Sequence, residues 1–123
     1  TKRPEMKKFI KPLKRQMLGW KINNYRIAFK ASKNRDMVGS ASVDYLMYSG
    51  YNCLAYYWAM MAETAYQKLE KGEGDLAFYK AKIQTAEFYF ERMLPRAKGH
   101  AKMMVKDPKS LMQMNEDDFS FLD

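Results

Sequence analysis

Apolar residues recur at intervals of three and four along most of this chain, and this helical spacing restricts the fold more than any other sequence feature. The clearest case is CLAYYWAMMA, residues 53–62, which carries no charged side chain. A membrane-spanning helix needs roughly 20 apolar residues, but this stretch is bounded by Asn52 and Glu63. It is too short to span a bilayer. We therefore interpret it as the middle of a core helix that needs neighbours on at least two sides.

The chain of 123 residues fits one domain, so residues 1–123 are predicted to form a single helical domain. Its one cysteine cannot form an internal disulfide, and no signal peptide opens the sequence. We accordingly expect a cytoplasmic protein. Because the first residue is Thr1 and not methionine, we also expect this chain to be a piece of a longer protein.

The first predicted helix starts near Met6, and Pro12 is expected to kink or break it because proline lacks a backbone donor. The polar and glycine-containing stretch 32–42 is expected to be the connection to the next helix. The apolar stripe of this first helix comprises Met6, Phe9, Ile10, Leu13 and Met17, and then Leu18, Ile22, Tyr25 and Phe29.

The second predicted helix begins at an N-cap at Ser40 or Ser42 and stops at Gly72. Its polar stripe is narrow, so we expect the helix to be covered on most sides, with Leu54 buried. The predicted apolar face comprises Val43, Met47, Gly50, Leu54, Tyr57, Met61 and Ala65; the polar stripe comprises Ser49, Asn52, Tyr56, Glu63, Gln67 and Glu70.

The third predicted helix is capped by Asp75 and is kinked or ended by Pro95. The turn at 70–75 is short, so the second and third helices are expected to form an antiparallel hairpin. A short C-terminal helix follows Asp107 and Pro108. The prediction is an all-α bundle of three main helices, with a long central antiparallel hairpin, plus this short helix. The stripe of the third helix comprises Tyr79, Ile83, Ala86, Phe90, Met93 and Ala97.

The residues able to carry chemistry lack the partners that chemistry requires. His100 is the only histidine, and it has no second ligand at helical spacing. Cys53 lies in the apolar run, where a thiol is normally an inert core residue. Glu87 and Glu91 form one i, i+4 carboxylate pair without a nearby histidine. We predict no catalytic, cofactor-binding or metal-binding residue in this segment.

Residues 1–36 hold 12 Lys and Arg against 2 acidic residues, which leaves a binding role open. Interspersed cations on a helix can neutralise phosphates or contact an anionic membrane. The aromatic residues fall on the apolar stripe and do not offer stacking platforms for bases. A stand-alone basic module that binds nucleic acid, an anionic membrane or a partner protein is therefore the alternative function. The basic residues on the first helix are Lys7, Lys8, Lys11, Lys14 and Arg15.

Three stretches, 40–65, 78–97 and 110–119, together resemble the C-terminal helical domain of acyl-CoA dehydrogenases, in the large bacterial branch that includes methylthiopropanoyl-CoA dehydrogenase. Residues 1–36 resemble that family only as a helical lead-in. The residues that carry the resemblance are Tyr45 and Leu46, then Phe78, Tyr79 and Lys82, and then Phe90, Leu94 and Pro95.

The resemblance implies a parent oxidoreductase of fatty acid metabolism that binds FAD and oxidises acyl-CoA with a glutamate base. That base and the flavin site belong to earlier domains, and Glu73 lies in a different sequence context, so it is not assigned the role. This segment is then a non-catalytic domain that packs on the dehydrogenase body or on the neighbouring subunit of a homo-oligomer. Tyr48, Tyr51, Tyr56 and Tyr66 are its expected docking aromatics. Alone, it is expected neither to bind FAD nor to oxidise acyl-CoA.

Overall fold

Five α-helices account for most of residues 2–120, which are the residues that the computed structural model describes. Over this range the chain is mostly helical and contains no strand, which confirms the predicted all-α fold class. Pro4–Met6 and Glu116–Phe119 form 3-10 turns, and Tyr89–Met93 form a π-helical turn. The α-helices are α1 (Lys7–Lys33), α2 (Asp36–Lys71), α3 (Leu76–Phe88), α4 (Arg96–Met104) and α5 (Lys109–Met112).

Helix α2 organises the bundle, because α1, α3 and α4 all pack against it. The side of α2 that receives them is rich in alanine. A methyl side chain allows helix backbones to approach closely, and alanine is also the best helix former. The buried alanines of α2 are Ala41, Ala55, Ala59, Ala62 and Ala65, none of which is more than 6% exposed.

The core has two buried clusters that share three bridging side chains. One cluster lies where α1, α2 and α4 meet and includes Met37, Tyr48 and Met104. The other holds Met6 and Phe9 against the alanines of α2 and α3. The side chains of Leu13, Trp58 and Phe90 pack against both clusters, so the two form one continuous apolar interior.

The prediction that the apolar face of α2 is buried is wrong for all the large side chains of that face. Leu54 is 50% exposed, and Val43, Met47, Tyr57 and Met61 are also exposed. Conversely, the predicted polar stripe contains Asn52, which is fully buried, and Ser49 and Glu63, which are partly buried. The helix is covered on one side and not on most sides, because its three neighbours gather on the alanine face.

Two predicted breaks are also wrong. Helix α1 continues through Pro12, because Phe9 and Leu13 on either side of it are held in the core, and this packing outweighs the loss of one helical hydrogen bond. Helix α2 begins at Asp36 and not after Ser40 or Ser42, so the α1–α2 connection is only Asn34 and Arg35.

The early start of α2 has local causes. The side chain of Asn34 accepts a hydrogen bond from the Asp36 backbone N–H at 3.1 Å. The hydroxyls of Ser40 and Ser42 donate to backbone carbonyls three residues earlier, which satisfies them inside the helix. Met37 is 1% exposed, so its burial adds a tertiary reason for this segment to be helical.

The predicted end of α2 and start of α3 are confirmed. Gly72 adopts the left-handed conformation at φ 67°, which glycine reaches without a Cβ clash. The Asp75 carboxylate accepts a hydrogen bond from the Phe78 N–H at 3.2 Å. The third predicted helix is divided by the π-helical turn before Pro95, and α4 starts directly after this proline. The short helix after Pro108 is α5, as predicted.

Tyr89, in the π-helical turn, connects α3 to the middle of α2. Its ring is 5% exposed, and its hydroxyl donates to the Tyr51 carbonyl oxygen at 2.6 Å. Burial disfavours the charged phenolate and raises the pKa of Tyr89 from 10.0 to about 12. The neutral hydroxyl therefore stabilises the fold over a wide pH range.

Phe9→Ala should lower the free energy of unfolding by about 3–5 kcal/mol, since it empties a fully buried site. Leu54→Ala should lower it by less than about 1 kcal/mol, since Leu54 faces water. Urea unfolding of both variants measures these values. A larger loss for Leu54→Ala than for Phe9→Ala would contradict the buried face described above.

Tyr89→Phe should reduce stability at pH 7 by about 1 kcal/mol through the lost hydrogen bond. The folded-state pKa of Tyr89 is raised, so its contribution is complete below pH 10 and is lost as pH rises towards 12. Across this window the wild type should thus lose its advantage and become the less stable of the two, since each pKa unit corresponds to about 1.4 kcal/mol. Urea unfolding at several pH values tests this. The exposed Tyr56→Phe is the control and should show no such trend.

Candidate docking interface

Beside its alanine face, α2 carries a row of large exposed apolar side chains, which we call the outer stripe. Its members are between 37% and 70% exposed. They repeat at spacings of three, four and seven, so they share one helix face. The outer stripe comprises Val43, Leu46, Met47, Leu54, Tyr57 and Met61.

Two apolar grooves extend the outer stripe sideways. The groove between α2 and α3 has a volume of about 340 Å³ and shares Tyr57 and Met61 with the stripe. The groove between α1 and α2 has a volume of about 420 Å³ and shares Leu46 with it. Phe78 lines the first groove and Tyr45 the second. The exposed apolar surface is therefore broader than one helix.

The second half of the predicted α1 stripe also faces water, which corrects its assignment to the core. Leu18, Ile22, Tyr25 and Phe29 are all at least half exposed. Helix α1 instead packs on the core through the partly buried Trp20, Ile27 and Ala31. The hydrophobic spacing alone did not distinguish these faces, because both repeat every three or four residues.

Only one of the four predicted docking aromatics lies freely on the surface. Tyr48 is a core residue, 2% exposed, whose hydroxyl accepts a hydrogen bond from the Asn23 amide at 3.2 Å. Tyr51 stacks on His100, and Tyr66 lies 5.8 Å from the Arg3 guanidinium, so both are partly covered. Tyr56 is exposed. The docking surface is thus mostly aliphatic and methionine-rich.

His100 has a partner in the fold that local sequence spacing does not indicate. Its Nδ1 lies 2.8 Å from Oδ1 of Asp44, a residue 56 positions away on α2. The Tyr51 ring covers the imidazole at a centroid distance of 5.8 Å. This arrangement joins α4 to α2. A pairing between residues so distant in sequence has no signature in local spacing.

The other candidate residues are structural or solvent-facing. Cys53 is exposed, so the expectation that it lies in the core is wrong. Glu87 pairs with Lys8 of α1, which ties α3 to the start of the chain. Among residues 2–120, no group of three or more His, Cys, Asp or Glu is arranged to hold a metal ion.

Glu73 lies in the exposed turn between α2 and α3, where the Lys68 ammonium is 3.0 Å from its carboxylate. This hydrogen bond and charge hold the pKa of Glu73 below its usual range. A general base that works near neutral pH needs the opposite shift, towards 7. The lowered pKa of Glu73 therefore does not support a catalytic role for this residue.

The basic N-terminal segment is partly used for internal ion pairs. Arg3 contacts Glu70 at 2.8 Å and Glu63 at 3.7 Å, and the hydrogen bond from Lys8 to Glu87 raises the pKa of Lys8. These pairs attach the start of α1 to α2 and α3. Three other cations of this segment, Lys7, Lys11 and Lys14, line an open groove.

In the part of the chain that the structure describes, no helix is both long and apolar enough to cross a membrane. A family model described as acetyl-CoA dehydrogenase C-terminal like matches residues 1–115. The match includes residues 1–36, which the sequence patterns related to that family only as a helical lead-in. A comparison with curated proteins found no match.

Replacing two outer-stripe leucines, Leu46→Ser and Leu54→Ser, should reduce the binding of a dye that reports exposed apolar surface and should leave the melting temperature nearly unchanged. Both side chains are at least half exposed, so little core packing is lost. The control pair is Leu76→Ser and Leu111→Ser, two exposed leucines outside the stripe. Equal loss of dye fluorescence in both pairs would contradict a single continuous apolar surface.

Proposed function

This chain belongs to the acetyl-CoA dehydrogenase C-terminal-like family, and from that membership we propose that it is the non-catalytic C-terminal helical domain of an FAD-dependent acyl-CoA dehydrogenase. Its role is to pack on the dehydrogenase body of the same chain, or on the neighbouring subunit of a homo-oligomer, and so to stabilise the assembly. We further propose a cytoplasmic location, because the single cysteine excludes an internal disulfide.

The observation that carries this proposal is the outer stripe. Six large apolar side chains lie exposed in a row on the central helix and are continuous with two apolar grooves. Burial of apolar surface contributes about 25 cal/mol per Å², so a partner that covers the stripe gains substantial binding energy. Soluble monomers rarely expose continuous apolar patches of this kind, and such patches commonly mark protein interfaces.

The glycine-containing turn between α2 and α3 does not suit the pyrophosphate of a flavin dinucleotide. A pyrophosphate group is usually held by a glycine-rich turn at a helix N-terminus, where free N–H groups point at the anion. The glycines of the α2–α3 turn precede such a terminus, but the Asp75 carboxylate already caps it and would repel a phosphate. The flavin and the glutamate base are therefore assigned to the parent body. That this segment alone binds no FAD stays a prediction.

The alternative function, a basic module for nucleic acid or an anionic membrane, has less support. Lys8, one of the five cations on the predicted binding face, is paired with Glu87. Among the exposed aromatic residues, Tyr57 and Phe78 line an apolar groove, and the Phe29 ring already has the Lys33 ammonium over it at 4.5 Å. The assignment to the methylthiopropanoyl-CoA branch, and hence the acyl-CoA that the parent oxidises, also stays a prediction.

In the parent enzyme, Leu46→Asp with Leu54→Asp should lower the melting temperature or dissociate the oligomer, because two charges would lie in a buried interface. The flavin reduction rate of the enzyme that stays assembled should be unchanged, since no catalytic group is altered. Differential scanning fluorimetry, light scattering and stopped-flow flavin reduction measure these three quantities.

The matched control carries Ala81→Asp and Gln84→Asp, which add the same charge on the exposed side of α3. It should behave as the wild-type parent does. If the outer-stripe variant matches the control in stability and assembly, the stripe does not dock on the body. If flavin reduction falls in an assembled variant, the domain is not purely structural.

A further inference from the structure

A second surface, distinct from the outer stripe, is the groove between α1 and α4. It has a volume of about 570 Å³. Its floor includes Ala101 and Val105, both at least partly buried. The described lining includes five cationic side chains: Arg26 and Lys30 from α1, Lys98 and Lys102 from α4, and Lys106, which follows α4.

The cations on each wall are four residues apart. Arg26 and Lys30 are therefore neighbours on the surface of α1, and Lys98 and Lys102 are neighbours on α4, whereas Lys106 lies two residues beyond the end of that helix. Like charges at this spacing repel each other. The two basic rows face the same groove, so the fold holds positive charges close together although they repel each other.

These cations lack the carboxylate partners that other cations in this chain have. Arg3, Lys8 and Lys68 form ion pairs with glutamates, but no salt bridge within residues 2–120 involves a cation of this groove. Asp107 is the one carboxylate in the described lining, and its Oδ1 accepts a hydrogen bond from the Lys109 N–H at 2.8 Å.

One cation of the five has a structural role. The Lys30 ammonium donates to the Val105 carbonyl oxygen at the end of α4, where a positive charge also interacts favourably with the helix dipole. Arg26 donates to the Asn23 side chain at 3.3 Å, a neutral contact that leaves its charge unbalanced. Lys98, Lys102 and Lys106 make no side-chain hydrogen bond or ion pair with any of residues 2–120.

We propose that this groove binds a small ligand that carries clustered phosphate groups. Lys and Arg form strong charge-assisted hydrogen bonds with phosphate oxygens. The volume is in the range of small-molecule sites. Among residues 2–120, no aromatic side chain lines the groove for a base to stack on, which favours a small polyphosphate over a nucleic acid strand. This inference does not depend on the proposed role in a dehydrogenase.

The test is calorimetric titration of the full 123-residue chain with sodium tripolyphosphate at about 0.15 M salt, near physiological ionic strength. We expect saturable 1:1 binding and a higher melting temperature. Lys98→Gln with Lys102→Gln should weaken binding at least about tenfold, because two charge-assisted contacts are lost. Lys11→Gln with Lys14→Gln, which removes the same charge from the N-terminal groove, should change affinity less than about twofold.

Three results would overturn the proposal. The first is no saturable binding of tripolyphosphate at this salt concentration. The second is equal weakening in both lysine pairs, which would indicate attraction to net charge alone. The third is tighter binding of duplex DNA or of phosphatidylserine vesicles through Lys98 and Lys102, which would assign the groove to a macromolecular or membrane partner.

Discussion

Close contact between helices at the alanine face of α2 is the interaction on which the rest of this fold depends. Ala55, Ala62 and Ala65 are at most 1% exposed. Because their side chains are small, α1, α3 and α4 all reach the same side of one long helix. Larger residues at these positions would force the neighbours apart and open voids that cost stability. Much of the bulk of the core comes from the segments that pack on α2, through Phe9, Phe90 and Met104.

This packing gives α2 two apolar faces with different physical roles. The alanine face holds the bundle together, whereas the side chains of the outer stripe are exposed to water. The interior also retains a polar group, because Asn52 is fully buried and its side-chain nitrogen and oxygen have no hydrogen-bond partner among the described residues. Such a group costs stability, and the apolar packing around it must offset that cost.

Polar contacts between distant residues set how the helices are aligned along α2. Arg3 with Glu70, and Lys8 with Glu87, hold the start of α1, while His100 with Asp44 holds α4. Exposed ion pairs add little free energy each, so their main effect is on register. The same alignment places the lysines of α4 opposite Arg26 of α1, and the basic groove between these helices is a consequence of it.

The sequence alone determined the helical class, the stop of α2 at Gly72 and the cap of α3 at Asp75, because each depends on neighbouring residues only. It also pointed to the family. The sequence did not determine which apolar face of α2 is buried. Side-chain hydrophobicity favours Leu54 and Met61 over alanine, and only the approach of three helices makes the small face the better one to bury. For the same reason Pro12 is tolerated, since contacts made by Phe9 and Leu13 exist only in the assembled bundle. The outer stripe, the His100–Asp44 pair and the basic groove were likewise decided by the tertiary structure, because each joins residues or faces that no local spacing relates.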